Sequence, residues 1–288
     1  MTAALQSLLA ARLKEPAPDA VIAMADHVRR MHEDVCAILA YGSALRDATP
    51  TDTLIDLYVL TEGFDGVSSN LLSRLGCWLV PPNVYYAEMT HQAQIYRAKY
   101  AVLPLPQLDV KVRSAISNPY FWVRFTQPMR LVWCKDKDSE AAVHSTIAHA
   151  CETACANAMG TSSSETAAQQ WASLFRETYR TELRPESADR ASAIVDADRE
   201  YYEGITAALK QLTPIKPNWP LRRVGGKALS ILRLIKASFT FQGGADYIAW
   251  KIKRHSGVEI EVTDFHRRHP LIAGLLLLPQ LLRSGAVR

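Results

Sequence analysis

Cysteine is scarce in this 288-residue chain. The five residues, at positions 36, 77, 134, 151 and 155, are odd in number and follow no framework spacing. That excludes a secreted disulfide scaffold and predicts reduced thiols. With only 13 glycines and 15 prolines, low-complexity and collagen-like chains are excluded too. The first residues carry no basic stretch ahead of an apolar core, so no secretory signal is read and a cytoplasmic protein is expected. Long apolar runs are also missing from the C-terminal part. Its longest charge-free stretch, 270–282, is 13 residues long and contains Pro279, whereas a membrane-spanning helix needs about 20. What is present is an ordinary globular composition, 48% hydrophobic and 22% charged. At this length, one large or two modest domains and a sizeable core are affordable.

Charge is unevenly placed. The formal net charge is +4, but residues 221–288 hold 12 Lys and Arg against four Asp and Glu, so the body before them is acidic. A polyanion contact by the C-terminal part follows, with nucleic acid and an anionic lipid surface as the two classes.

Along the chain, residues 19–34 show helical spacing of Val21, Ala25, Val28 and Met31. The apolar run 35–41 reads as a strand ended by Gly42-Ser43, which can open a helix. After a polar linker around Pro50, residues 54–60 read as a buried strand with one carboxylate, Asp56, in apolar company. Further strands are predicted at 84–86, 99–105 and 128–133. The pattern then turns helical: an Ala-rich stretch over 139–159, a break at 160–164, and helices around 171–183 and 187–202. Pro214, Pro217 and Pro220 read as a semi-rigid connector. Beyond it lie predicted helices near 226–241 and 245–255, then an apolar end at 269–283. In the two basic helices, Leu229, Leu232, Ile235 and Phe239, then Tyr247, Ile248 and Ile252, alternate with Lys and Arg. That composition suits a helix lying in an anionic membrane interface, and equally a subdomain with a solvated basic face.

A strand ending in Gly-Ser, a spacer, and a second strand with a central acid suit a nucleoside triphosphate and its metal. Glycine lets the backbone approach phosphates, serine and helix-start N–H groups donate to them, and a buried carboxylate ligates Mg²⁺. Gly42, Ser43 and Asp56 fill these roles.

The string AYGSALRDATPTDTLIDLYVL resembles the nucleotide-binding start of the DNA polymerase β-like nucleotidyltransferase superfamily. Within it, the chain is similar to the mitochondrial-type phosphatidate cytidylyltransferases, the translocator assembly and maintenance family. The matches run in order over roughly residues 37–255: Tyr41-Gly42-Ser43, Ile55-Asp56, Val84-Tyr85-Tyr86, Lys99-Tyr100, Leu108-Asp109, then Tyr120, Arg124 and Pro128, and last Tyr179, Glu182 and Arg184. The chain departs from the family pattern where Glu182 replaces an aspartate, where Arg180 and Thr181 replace the residues before it, and where Gln127 stands for a common lysine. Tyr58 occupies the place of the wider superfamily's second acid, which this family also usually lacks.

The resemblance implies an α+β fold, a mixed sheet with flanking helices followed by a helical domain and a basic amphipathic tail, divided at 1–136, 137–220 and 221–288. It implies a CTP:phosphatidate cytidylyltransferase making CDP-diacylglycerol and pyrophosphate, peripheral on the inner face of a membrane. Asp56 and Glu182 would hold Mg²⁺, with Asp109 or Glu88 as substitutes for the second ligand. Catalysis would fall to Asp56, Glu182 and Arg184, and nucleotide binding to Gly42, Ser43, Lys99, Tyr100 and Arg124. CTP, phosphatidate and an anionic membrane surface are the implied partners. Two alternatives are a nucleotidyltransferase acting on tRNA or a protein hydroxyl, and a catalytically weakened membrane-surface scaffold. His144, Cys151 and Cys155 share one predicted helix face, but they read as a core stripe rather than a zinc site. His266 and His269 read as part of a basic cluster.

Overall fold

The computed structural model describes residues 2–45, 54–113, 118–162, 166–183 and 188–240, together with 245, 249, 250, 262 and 263. Within them, helices α1 (Ala3–Leu13) and α2 (Asp19–Arg29) precede β1 (Val35–Tyr41) and β2 (Ile55–Thr61). Helix α3 (Leu71–Leu79) follows, then the hairpin β3 (Asn83–His91) and β4 (Gln94–Pro104), α4 (Leu105–Arg113), α5 (Tyr120–Phe125) and β5 (Met129–Cys134). The rest is helical: α6 (Lys137–Thr161), α7 (Ala167–Tyr179), α8 (Ala188–Ala197), α9 (Arg199–Ala208) and α10 (Trp219–Thr240).

The five strands form one mixed sheet in the order β3-β4-β2-β1-β5. β2 runs parallel to β4 and every other neighbouring pair is antiparallel. The chain is thus α+β, as the sequence reading expected. β1 and β2 are almost wholly buried, with Ile38, Leu39, Ile55 and Leu57 fully enclosed. This is why both read as unbroken apolar runs rather than alternating ones. One core runs on from the sheet into the helices, taking in Leu5 and Leu9 of α1, Trp122 of α5, Cys151 and Cys155 of α6, and Trp171 and Tyr202 of α7 and α9.

Several element boundaries differ from the sequence reading. α2 stops at Arg29, and Asp34 takes a φ of 48° just before β1. The helix expected around 187–202 is broken at Asp198 into α8 and α9. Pro220 lies inside α10 rather than in the connector, because the first turn of a helix has no need of the N–H that proline lacks. The Asn218 side chain accepts from the Leu221 N–H at 3.1 Å and caps that turn. α1, α3, α4 and α5 have no counterpart in the sequence reading. The helix expected at 245–255 and the apolar end at 269–283 lie almost wholly outside the described residues, as do His266 and His269. No helix among the described residues is long and apolar enough to cross a membrane.

Candidate functional site

The end of β1 and the start of β2 lie side by side, with Tyr41 paired to Asp56, and Asp56 pairs in turn with Lys99 on β4. Residues paired across a sheet point to the same face, so Asp56 and Lys99 emerge together. They open into a cleft of about 580 Å³ whose lining includes Gly42, Ser43, Arg124, Arg130, Glu182 and Arg190. The sheet supplies the floor, α5 supplies Arg124, β5 supplies Arg130, and the far side is closed by Tyr179 at the end of α7, Glu182 in the turn after it, and Ile194 of α8.

Gly42 turns the chain out of β1 with a φ of +88°, a backbone region costly for residues with a Cβ. A Cβ there would lie 3.2 Å from Oδ2 of Asp56, so the glycine keeps the approach to the carboxylate open. Ser43 is exposed on the cleft and begins a single 3-10 turn, Ser43–Leu45. The sequence reading expected a helix start here with several free N–H groups. A turn this short has no helix dipole to offer, so the contribution of Ser43 is its own hydroxyl and local backbone.

Asp56 makes no hydrogen bond or ion pair with another described residue. Burial pushes its pKa above the ordinary carboxylate range, while the positive charges of Lys99, Arg124 and Arg190 pull the other way. The position two residues on, Tyr58, is fully enclosed in a stack with Tyr41 (ring centroids 5.0 Å) and Phe125 (4.5 Å). This strand therefore presents one carboxylate to the cleft.

Arg124 and Glu182, 58 residues apart, meet across the cleft at 3.3 Å. The guanidinium lies over the Tyr120 ring at 4.8 Å, and its Nε is buried without a partner. A buried orphan donor is costly, and an anionic ligand is one way of satisfying it. Arg130 is bound to Glu15, just past the end of α1, and its Nε is likewise buried and unpartnered. Glu15 also takes Arg12 at 3.0 Å, and Arg12 reaches Asp198 of the cleft wall at 2.7 Å.

Of the residues expected to form the site, the structure brings together Gly42, Ser43, Asp56, Lys99, Arg124 and Glu182. Tyr100 is not among them. As the neighbour of Lys99 on a strand it must point to the opposite face, where it is buried against Tyr85 and His32 and donates to Sδ of Met31. Its place is in the core beneath α2, which corrects the sequence reading. Arg184 lies outside the described residues. The substitute ligands are spoken for elsewhere: Asp109 binds Arg113 at 2.6 Å and His149 at 3.0 Å, and Glu88 binds Arg97 at 3.0 Å. His144 contacts Glu140, and Cys151 and Cys155 are core residues, as expected. Sequence reasoning missed Arg130, Arg190 and Asp198. Arg130 was the one legible candidate, a lone charge inside an apolar strand; nothing in the sequence brings Arg190 or Asp198 to this cleft.

The donor chemistry fits a hard divalent cation. Mg²⁺ is commonly held by one or two carboxylates together with substrate phosphate oxygens, and Asp56 with Glu182 supplies such oxygens beside cationic side chains. No group of three or more His, Cys, Asp or Glu gathers among the described residues, so the phosphates would have to complete the shell.

No protein-family model matches the chain, and no curated protein matches it. Among solved structures it is similar to a nucleotidyltransferase-like protein from Exiguobacterium sibiricum, with 13% identity over 92% of this chain and 91% of that one and a TM-score of 0.28. So loose a likeness carries no argument about function.

Proposed function

We propose that the protein is a nucleotidyltransferase that binds a nucleoside triphosphate with Mg²⁺ in this cleft. We further propose that it is a CTP:phosphatidate cytidylyltransferase. The observation that carries the reading is the unpaired, desolvated carboxylate of Asp56 beside the left-handed turn at Gly42, ringed by Lys99, Arg124, Arg130 and Arg190. Such a ring matches a polyanion, while the single unpaired carboxylate matches the cation that travels with it.

When bound, Mg²⁺ would neutralise phosphate charge between Asp56 and the triphosphate, with Glu182 as the second protein ligand. The chain's own residues align the reactants and balance charge, which is most of what nucleotidyl transfer asks of a protein. Gly42 leaves room for phosphate oxygens against the backbone and Ser43 donates its hydroxyl. Arg124 and Lys99 bind the non-bridging oxygens, with the flat guanidinium suited to two at once. A phosphate oxygen of phosphatidate attacks the α-phosphorus of CTP, the bond to the β-phosphate oxygen breaks, and pyrophosphate leaves with its electron pair.

The choice of cytidine and of a lipid acceptor rests on the ordered motif matches, chiefly Tyr41-Gly42-Ser43, Ile55-Asp56 and Lys99-Tyr100. Two measurements test the reading. Mg²⁺-dependent protection from thermal unfolding, compared for CTP, ATP, GTP and UTP, should be greatest with CTP. Purified protein with CTP, Mg²⁺ and phosphatidate in detergent should form CDP-diacylglycerol, and Asp56→Ala should abolish it. Product undiminished in that variant rejects the site.

A further inference from the structure

Helix α10 passes beside the Arg124–Glu182 pair. Its Gly226 packs on Thr181, the residue before Glu182, so closely that a Cβ there would lie 2.7 Å from the Thr181 carbonyl oxygen. About two turns on, Arg233 reaches Tyr120 of α5, and beyond it Lys236 donates to the Val80 and Pro82 carbonyls just before β3. The helix thus spans from the end of α7 to the start of β3, and Arg233 is the charge it carries to α5.

Arg233 and Arg124 share one aromatic ring. The Arg233 guanidinium lies over Tyr120 at 4.0 Å and that of Arg124 at 4.8 Å. A ring face offsets part of the cost of desolvating a guanidinium, but it cancels no charge. Among the described residues, the one carboxylate paired with either arginine is Glu182, on Arg124. Arg233 donates its Nε to the Pro81 carbonyl at 3.3 Å, and no described residue takes its Nη groups. Burial draws its pKa below the ordinary guanidinium value, against the pull of Tyr120 and Glu182. The Nε of Arg124 is itself buried and unpartnered. Two desolvated like charges on one ring repel, and a single glutamate leaves them half neutralised. The group that would complete them is an anion.

Position selects which anion. Gly42, Ser43, Asp56 and Lys99 gather where β1 ends and β2 begins, the place assigned above to the triphosphate and its cation. Arg233 is not part of that lining; it lies against Tyr120 and the approach to β3. In nucleotidyl transfer the attacking and leaving oxygens are roughly in line, so donor and acceptor occupy separate places. A hydroxyl acceptor needs no further cations. A phosphate monoester brings up to about two negative charges and three oxygens, which guanidinium groups match two at a time.

We propose that Arg233, together with Arg124, forms an acceptor subsite that binds a phosphate monoester. This deepens the nucleotidyltransferase reading and rests on it for the role of the bound phosphate. Arg124 then stands between the two anions. One oxygen of the acceptor phosphate forms the new bond to the α-phosphorus, the bond to the bridging oxygen breaks, and pyrophosphate leaves with its electron pair. The recognised group is common to a lipid head group and a soluble phosphomonoester.

The test has a binding arm and a kinetic arm, both on the full chain. Thermal unfolding is followed with sn-glycerol 3-phosphate alone, or with CTP and Mg²⁺. Glycerol 3-phosphate should protect the native protein and Asp56→Asn but not Arg233→Met, whereas CTP with Mg²⁺ should still protect Arg233→Met. In the kinetic arm, Arg233→Met should raise the KM for phosphatidate in detergent about tenfold or more and leave the KM for CTP near its native value. Arg233→Lys keeps the charge but loses the flat fork; it should fall between the two, and it carries the test if the methionine variant does not fold. A KM that depends on Arg233 for either phosphatidate or glycerol 3-phosphate supports the subsite, and comparing the two shows whether acyl chains add to it. No protection of the native protein by glycerol 3-phosphate, or protection undiminished in Arg233→Met, overturns the proposal. So does loss of CTP protection in that variant, which would give the arginine to the triphosphate. A native protein that CTP and Mg²⁺ fail to protect would reject the nucleotide reading instead, because the glycerol 3-phosphate arm reads Arg233 without nucleotide.

Discussion

Gly42 and Asp56 face each other across the end of the β1–β2 pair so closely that a Cβ on residue 42 would stand 3.2 Å from Oδ2 of the carboxylate. The same glycine adopts a φ of +88°. Gly42→Ala therefore brings backbone strain and crowding at once. It should lower stability by about 1–2 kcal/mol and weaken nucleotide binding by at least about tenfold, since the added methyl occupies the approach to the carboxylate. Thermal melting and titration calorimetry with Mg²⁺ and CTP check both, and unchanged affinity would mean that phosphate does not approach this turn.

Asp56 ionises at a cost in the free protein. Its pKa is raised by burial, against the pull of Lys99, Arg124 and Arg190, so the unfolded chain gives up that proton more readily than the folded one. Stability should then fall as pH rises from the ordinary carboxylate value through the raised one. Asp56→Asn removes this penalty. The variant should melt higher than the native protein at neutral pH, by about 2–4 °C for each kcal/mol relieved, and the two should converge in acid where both side chains are neutral. The same substitution should abolish Mg²⁺-dependent nucleotide protection. Melting curves over a pH series, with and without nucleotide, read both effects; a variant that melts lower at neutral pH would mean that the ionised carboxylate stabilises the fold.

The Arg124–Glu182 pair should separate phosphate binding from metal binding. Arg124→Met removes a charge-assisted contact worth about 1.5–3 kcal/mol, so CTP affinity should drop about tenfold or more with or without Mg²⁺. Glu182→Gln should leave affinity in the absence of metal near the native value and raise the Mg²⁺ concentration needed for half-maximal protection. Calorimetry across a Mg²⁺ series distinguishes the two. An unaltered Mg²⁺ requirement in Glu182→Gln would reduce the glutamate to a counter-ion for Arg124.

The thiols should be nearly silent in the native state. Burial pushes Cys36, Cys77 and Cys155 up to about 11 and Cys151 higher still. Cys134 is also raised by burial but is the one partly exposed thiol. Thiolate is the reactive form, so Ellman's reagent should label one cysteine slowly in folded protein and five in denaturant. Rapid labelling of a second thiol would contradict the packing of α6 and the sheet.

The connector after α9 should be sensitive at one glycine. A Cβ on Gly160 would fall 1.9 Å from the Ile215 carbonyl oxygen, where the connector lies against α6 and the Ile215 N–H donates to the Ala156 carbonyl at 2.9 Å. Gly160→Ala should cost about 1–3 kcal/mol through overpacking, read as a lowered midpoint in urea. A neutral result would mean that the connector can lift off α6.

Much of the site was legible because its first half is local. β1 and β2 are buried on both faces and appear as short apolar runs, the turn is marked by Gly42, and a lone acid inside such a run is conspicuous, so Gly42, Ser43 and Asp56 could be placed together from the sequence. Strand alternation also requires Lys99 and Tyr100 to point apart, but it does not say which of them meets Asp56. That was settled by the parallel pairing of β4 with β2 in the register Asp56 to Lys99, which sent Tyr100 under α2. The meeting of Arg124 with Glu182, the arrival of Arg190 and Asp198 at the cleft wall, and the stacking of Arg233 on Tyr120 were likewise decided by tertiary structure alone. The physical reason is the range of the interactions. Backbone geometry and side-chain period act over a few residues and are written in the local sequence, whereas burial and charge pairing depend on which distant surfaces the whole chain brings together.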